Sequence, residues 1–371
     1  MLSRKAIKYR IYPTKSQERL LNNNLEGCRL LYNKMLEQRK EGWENNKQSF
    51  SCYEQQKHFR YWLDKNEFDV HSQVQQNVAV RIDLAYKAFL RRLKNGEKPG
   101  YPRFKGFGRY DSFTYPQTGW KVFEDKIHLT KIGKVKAVIH KSIDGNIKTC
   151  TVKKEGNDWY VIFSIESETK QYDSETKESI GIDVGLKSFA VYSDETVIDN
   201  PRFFKKEEKK IATLQRRKEK ATGNKKKKIA KAIQKRHKKA KNKRKDFCHK
   251  LSRNIVNKYK TICVEDLDIN QMKESNKYLS KNIHDASWRL FIDLLSYKAE
   301  DAGRIFVKVN PAYTTQDCNE CGYRVKKKLS DRIHHCPNCG LIMDRDLNAS
   351  KNILRIGLYS LGNQTIEAHA L

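Results

Sequence analysis

Residues 5–13, KAIKYRIYP, alternate apolar and polar side chains in the period-two pattern of a strand and stop at Pro13. The period then changes. Leu21, Leu25, Cys28, Tyr32 and Met35 recur at spacings of three and four, which predicts a helix with one apolar stripe. A second helix is expected near 51–64. A third carries Val74, Val78, Ile82, Ala85, Phe89 and Leu93 on one face and closes at NGEKPG. Residues 14–96 therefore read as a helical domain. After a stretch rich in Gly, Pro, aromatic and basic residues (98–119) the period returns to two. WKVF, KIHL, KVKAVIH, IKTCTVKK and WYVIFSIE, separated by EDK, DGN and EGND, predict an antiparallel barrel or sandwich. The first strand is expected to join it, so the helical domain is an insertion.

A polar linker, SETKQYDSETKE (167–178), introduces a different alternation. SIGIDVGLKSFAVYSD predicts two strands around a glycine turn, followed by a long helical segment to about residue 258. TICVEDL (261–267) is a short apolar strand, residues 285–302 a helix and RIFVKVN (304–310) a further strand. A cysteine-rich segment spans 318–339, and a closing helix is expected from near Leu347. Strands alternating with helices predict an α/β domain. The tail after Arg355 has no clear pattern.

Charge narrows the partners. The 371 residues hold 76 Lys+Arg against 44 Asp+Glu, a formal net charge of +32, which calls for a polyanion. Nucleic acid fits best; an acidic membrane surface is the alternative, but no basic amphipathic anchor stands out. No run approaches the roughly 20 apolar residues of a membrane span. The N-terminus lacks an apolar core, so no secretory signal is expected. Residues 205–245 concentrate 21 Lys or Arg against three Glu. A charge run is ordinarily a solvated face, yet this density repels itself without a phosphate-lined partner. Such contacts carry no base information.

Five of the nine cysteines are scattered and read as reduced thiols of a cytosolic protein. The other four form two CxxC pairs, Cys318 with Cys321 and Cys336 with Cys339, each followed by Gly. This spacing suits one tetrahedral zinc. A site closed by four thiolates is structural, so the zinc is not expected to do chemistry. His334 and His335 beside the second pair are expected to face solvent or nucleic acid.

Three acids invite a second metal. Asp183 follows the apolar SIGI, Glu265 follows TICV, and Asp346 precedes the last helix. Singly, each reads as a solvated strand end or a helix cap. Together they can converge at the strand ends of an RNase H-like sheet. Three carboxylates share a small volume only when a cation offsets their repulsion. Two magnesium ions roughly 3.5–4 Å apart would do so and would support phosphodiester cleavage.

GIDVGLKSFAV, VEDLDI and CNECG…CPNCG…DRDLNASKNI closely resemble the RuvC nuclease motifs and inserted zinc ribbon of transposon-encoded TnpB (OrfB) proteins, compact relatives of type V CRISPR effectors. KAIKYRIYPTKSQERLL, GCRLLYNKML and YPRFKGFGRYDSFTY resemble the family's earlier regions, in family order. The resemblance implies a multidomain α+β protein. A wedge-type β-barrel (1–13 and 97–170) would carry an inserted helical recognition domain (14–96). An RNase H-like RuvC nuclease domain (178–313 and 344–358) would follow, with a basic hairpin at 205–258, a zinc ribbon at 314–343 and a tail at 359–371. It implies Asp183, Glu265 and Asp346 as catalytic acids holding two magnesium ions, with Asp344 as a capping or supporting group. Arg332 resembles the ribbon arginine that relatives place near the scissile phosphate; otherwise it is an ordinary surface charge.

The implied activity is RNA-guided DNA cleavage beside a short flanking motif. The implied partners are a transposon-derived guide RNA and double-stranded DNA, and the protein would act as a monomer with one RNA in the prokaryotic cytoplasm, at the nucleoid. Gln73, Gln76 and Asn77, with Tyr115 and Gln117, are candidate base readers, since amides pair with adenine edges; each also reads as a surface polar group. Two other functions stay open, a guided DNA-binding repressor without cleavage and a strand-transfer transposase.

Overall fold

In a computed structural model, residues 2–168, 177–275, 277–328 and 330–369 are described; the side chains of residues 2, 3, 60, 177, 178, 277 and 363–369 are not. The chain divides into two units, Met1–Glu168 and Thr169–Leu371. Most of the predicted linker at 167–178 lies outside the described residues.

The first unit begins with β1 (Leu2–Tyr12) and α1 (Lys15–Asn46). Thr14 and Gln17 form a reciprocal capping box at the start of α1, which satisfies amides the helix itself cannot. The five predicted stripe residues of α1 are all buried. The helix expected at 51–64 is two short ones, α2 (Cys52–Gln56) and α3 (Phe59–Trp62). In α4 (Ser72–Lys94) the stripe is buried at Val74, Val78 and Ile82, half-buried at Ala85 and Phe89, and exposed at Leu93, so the cover thins toward the end of the helix.

Six strands follow: β2 (Ser112–Tyr115), β3 (Trp120–Val122), β4 (Lys126–Leu129), β5 (Gly133–Val138), β6 (Asn146–Glu155) and β7 (Asp158–Glu168). β2 lies in the stretch read as irregular, because its Gly- and Pro-rich flanks hide four residues of strand. The sheet order is β2-β6-β7-β1-β5-β4-β3, antiparallel throughout. β1 thus sits between β7 and β5 although the four helices separate it from them in the chain. β2 and β3 are edges that do not pair with each other, so the sheet is a near-barrel, not a closed barrel.

The second unit contains β8 (Lys177–Val184), β9 (Ser188–Tyr192), β10 (Val197–Asp199), α5 (Phe203–Glu219), α6 (Gly223–Lys258) and β11 (Tyr259–Glu265). After these come α7 (Ile269–Ser275), α8 (Lys277–Ala286), α9 (Trp288–Asp301) and β12 (Ile305–Val309). The last elements are β13 (Ile333–His335), β14 (Ile342–Asp344) and α10 (Arg345–His369). The main sheet runs β10-β9-β8-β11-β12, antiparallel on the β9 side of β8 and parallel across β8-β11-β12. α10 continues through residues 359–369, where the sequence suggested a separate tail; no proline interrupts it.

Side-chain alternation assigns the two faces of this sheet. Ile180, Ile182, Ile262 and Val264 pack with α6, α8 and α9 in one core. Cys263 and Val309 pack with Ile353 of α10 in another. Gly181 permits this second contact. A Cβ there would lie 2.1 Å from the Ser350 carbonyl oxygen and 2.7 Å from the Leu354 nitrogen, so only glycine lets α10 lie this close.

Candidate metal centres

Asp183 follows Ile182 and Glu265 follows Val264, so both carboxylates point to the face of the sheet that α10 covers. The register pairs Ile182 with Val264 on adjacent parallel strands, which places the two acids side by side at the strand ends. Asp346 stands in the first turn of α10, the helix packed on that face. The three acids that the sequence separates by 82 and 81 positions thus meet at one end of the sheet.

The electrostatics agree. Burial pushes Asp183 well above the usual carboxylate range, and the nearby charges of Glu265, Asp346 and Asp344 push it the same way; Arg345 opposes them. Burial also raises Glu265, against a hydrogen bond from Thr314 that favours its charged form. Asp183 and Glu265 are each 8% exposed. A cation would relieve this repulsion, and the donors are hard oxygens, so the residues fit magnesium.

Asp346 is held from several sides. Arg345 donates from Nε and Nη2 to Asp346 Oδ1 at 3.0 and 2.9 Å. Arg332 Nη1 lies 3.9 Å from Asp346 Oδ2, with about half of its side chain exposed. Asp344 caps the helix: its Oδ1 accepts from the amides of Asp346 and Leu347 at 2.8 and 3.2 Å.

The four cysteines form the second centre. Their sulfurs lie within 4.8 Å of one another. The Cys318–Cys339 and Cys321–Cys336 sulfur separations are 3.6 and 3.5 Å. Four ligands on a tetrahedral zinc, with Zn–S about 2.3 Å, would stand about 3.8 Å apart, so the donor set fits that ion. The knuckles repeat one geometry. Gly322 N donates to Cys318 O and Gly340 N to Cys336 O, both at 2.9 Å, and both glycines take positive φ, 75° and 76°. Hydrogen bonds involving the Asn338 side chain and the Tyr323 backbone lower the Cys321 thiol to about 6, while hydrogen bonds with the other three thiols raise Cys339. His335 is exposed, but His334 is fully buried and accepts from Lys327 at Nδ1, so the expectation that both face outward fails for His334. Alternation along β13 turns it inward.

Residues 314–319 join the two centres. Thr314 Oγ1 donates to Glu265 Oε1 at 2.5 Å. Asn352 Nδ2 donates to the carbonyls of Thr314 and Asp317 at 2.9 and 2.6 Å. Asn348 Nδ2 donates to Asp317 O at 2.8 Å, and its Oδ1 accepts from Asn319 N at 3.0 Å. Asn348 and Asn352 are fully buried, one helical turn apart on α10. The stretch entering the first knuckle therefore supports both the helix of Asp346 and the carboxylate of Glu265. Sequence reading missed Thr314, Arg345, Asn348 and Asn352; the only signal was the place of the last three within the DRDLNASKN motif, and Thr314, 30 positions earlier, had none.

The candidate base readers separate. Tyr115 is fully buried and its hydroxyl donates to Thr130 O at 2.9 Å, so it belongs to the core and cannot reach a base. Gln73 is spent on the fold: its Oε1 accepts from the amides of Gln117 and Thr118 at 3.3 and 2.8 Å. Asn77 accepts from Arg81 at 3.0 Å. Gln76 and Gln117 are exposed. The basic run forms α5 and α6. Asp285 fixes its base, accepting from the amide of Phe204 at 2.9 Å and pairing with Arg244 at 3.4 Å.

The OrfB_IS605 family, described as "Probable transposase", matches residues 162–276, and a "Cas12f1-like, TNB domain" matches 288–353. A "Helix-turn-helix domain" matches residues 1–48, where the structure has one strand and one 32-residue helix. "Putative RNA-guided DNA endonuclease InsQ" of Escherichia coli (strain K12) is 30% identical over 376 residues, covering 95% of this chain and 92% of the relative. A relative of the same description from Streptomyces pristinaespiralis is 28% identical, covering 96% and 90%. The Cas12f1 chain of a Cas12f1-sgRNA-target DNA complex superposes with a TM-score of 0.59 at 15% identity, over 95% of this chain and 98% of that one. Fold and comparison together define a mixed α/β protein with the architecture of Cas12-type effectors. The chain belongs to the TnpB (OrfB) family.

Proposed function

We propose that this protein is an RNA-guided DNA endonuclease that cuts its target beside a short flanking motif by RuvC-type hydrolysis. The observation that carries this reading is the meeting of Asp183, Glu265 and Asp346 at one sheet end, the first two buried and Asp183 raised by the charges of the other two. These three would hold two magnesium ions, which would supply an activated water and charge stabilisation of the leaving oxygen. Arg332, partly exposed beside Asp346, would hold the phosphate being cut. Cys318, Cys321, Cys336 and Cys339 would hold one zinc that keeps residues 314–319 in place.

Guide RNA and double-stranded DNA are the partners that the relatives' names and the +32 charge support. The cations of α5 and α6 would bind phosphates without reading bases. Target choice would then rest on RNA pairing, with the protein reading only the flanking motif. Exposed Gln76 and Gln117 remain as candidates for that reading. The domain limits given above by resemblance, and one RNA per monomer, belong to the same proposal.

The test is cleavage of a motif-bearing plasmid in magnesium by RNA-free protein, with and without copurified RNA. Cutting that needs the RNA, and that moves when its guide end is rewritten, is the expected result. Site-specific cutting without RNA would overturn the reading. Strand transfer by the same acids is a second reading, favoured by the family description "Probable transposase"; joined strands in place of free ends would establish it.

A further inference from the structure

Between α4 and β2 lies a loop whose one fully displayed aromatic side chain has no role in the reading above. Its segment KPGYPRFKGFGRY (98–110) carries four aromatics, four Lys or Arg and no acid. Two of the aromatics are anchors. Tyr101 stands edge-on to Tyr86 and Phe89, at 5.6 and 5.3 Å between ring centroids, and Tyr110 is buried. Phe104 is half exposed. Phe107 is 86% exposed.

A single exposed phenylalanine is ordinary on a mobile tip. This one is on a fixed turn. Arg109 N donates to Gly106 O at 3.0 Å, so Phe107 and Gly108 are the central residues of a β-turn. Gly108 has φ of 69°, the left-handed conformation that a type II turn requires at its third position. The turn is fastened one residue earlier. Lys105 N donates to Asn33 Oδ1 at 2.8 Å, and Lys105 O accepts from Asn33 Nδ2 and Arg29 Nη1, each at 3.0 Å. α1 therefore holds the loop at its base and the turn holds the ring out, with exposed Arg103 and Arg109 on either side.

We propose that Phe107 is a stacking platform for an unpaired nucleobase, with Arg103 and Arg109 binding the adjoining phosphates. The inference rests on the nucleic-acid reading above and adds a contact to it. An aromatic ring gains from a base face whatever the base, and cations beside it neutralise the strand. A protein partner would meet four exposed cations or glycines around one ring, a poor match to the apolar core of a protein interface. An unpaired base on its phosphate backbone supplies both the flat apolar face and the negative charge.

The test uses the full-length chain, fluorescein-labelled single-stranded RNA and DNA oligonucleotides, and a blunt duplex of the same sequence. Phe107→Ala should weaken single-strand binding about tenfold with the salt dependence unchanged, because stacking releases no counterions. Phe107→Trp should restore it. The double variant Arg103→Ala/Arg109→Ala should instead flatten the salt dependence. A 2-aminopurine scanned through the oligonucleotide should be quenched at one position by the wild type and not by Phe107→Ala. Unchanged binding in Phe107→Ala, or full rescue by Phe107→Leu, would overturn the inference; the second outcome would mean apolar contact, as with a protein partner. Wild type that binds and cuts while Phe107→Ala does the same would leave the nuclease reading standing alone. Wild type that binds no oligonucleotide would remove both.

Discussion

The four cysteines and the three acids stand at opposite ends of one short connection, and they are assembled by different means. The cysteines are paired three positions apart, each pair on its own hydrogen-bonded knuckle, with 14 residues between the two pairs. Their ligand geometry is local and closed. The acids come from two strands and a helix, and no two are within 80 residues. Sheet register and the docking of α10 over Gly181 bring them together. The thiolate set favours a soft, structural ion; the carboxylate set favours hard ions with open positions for water and phosphate. A site that must stay rigid can be written in a short stretch of chain. A site that must meet a substrate at a sheet end depends on the whole domain.

The comparison breaks most sharply at the acids. Asp183→Asn, Glu265→Gln and Asp346→Asn should each take guided plasmid cleavage below detection while zinc content stays at one per chain. Cleavage at the wild-type rate by any of them would remove that residue from the metal site. Removing the other metal should act indirectly. Cys318→Ser or Cys336→Ser should lose zinc by metal analysis, and because metal binding here is coupled to local folding, cleavage should fall with the zinc lost. Zinc-free protein with full activity would separate the two centres.

The connection between the centres gives a smaller effect. Thr314→Val removes the hydroxyl bonded to Glu265 and should slow cleavage at least about tenfold, since one hydrogen bond to a charged group is worth roughly 1.5–3 kcal/mol. Thr314→Ser should restore the rate, and the magnesium concentration needed for half-maximal rate should rise in the Val variant only. Equal rates for Val and Ser would show that Thr314 merely packs. The smallest effect is expected at Asp344, whose carboxylate caps α10. Asp344→Ala should lower thermal stability by about 1 kcal/mol and leave cleavage largely intact. Loss of cutting as complete as for Asp346→Asn would make Asp344 a ligand.

Some of this was legible in the one-dimensional pattern, for reasons that are local. The stripe of α1 and the strands of the near-barrel follow from periods of 3.6 and 2. The cysteine cluster follows from CxxC spacing, which constrains backbone distance directly. The three acids were legible as strand-end residues and as motif matches, and their convergence as an expectation; the Ile182–Val264 register and the seat of α10 on Gly181 that bring it about were not. Arg345, Thr314, Asn348 and Asn352 were not legible. The two asparagines bond backbone carbonyls 31 to 38 residues away, and no spacing rule marks a carbonyl. Tyr115 and His334 were misplaced because burial belongs to the packed state: the same Tyr in the same TYPQTG is a surface ring or a core ring according to what covers its face. The chain's periodicity and ligand spacing set which segments fold and which ion the cysteines prefer. Only the packed sheet, by aligning β8 with β11 and pressing α10 onto Gly181, brings three distant carboxylates near enough for the charges of Glu265 and Asp346 to act on Asp183.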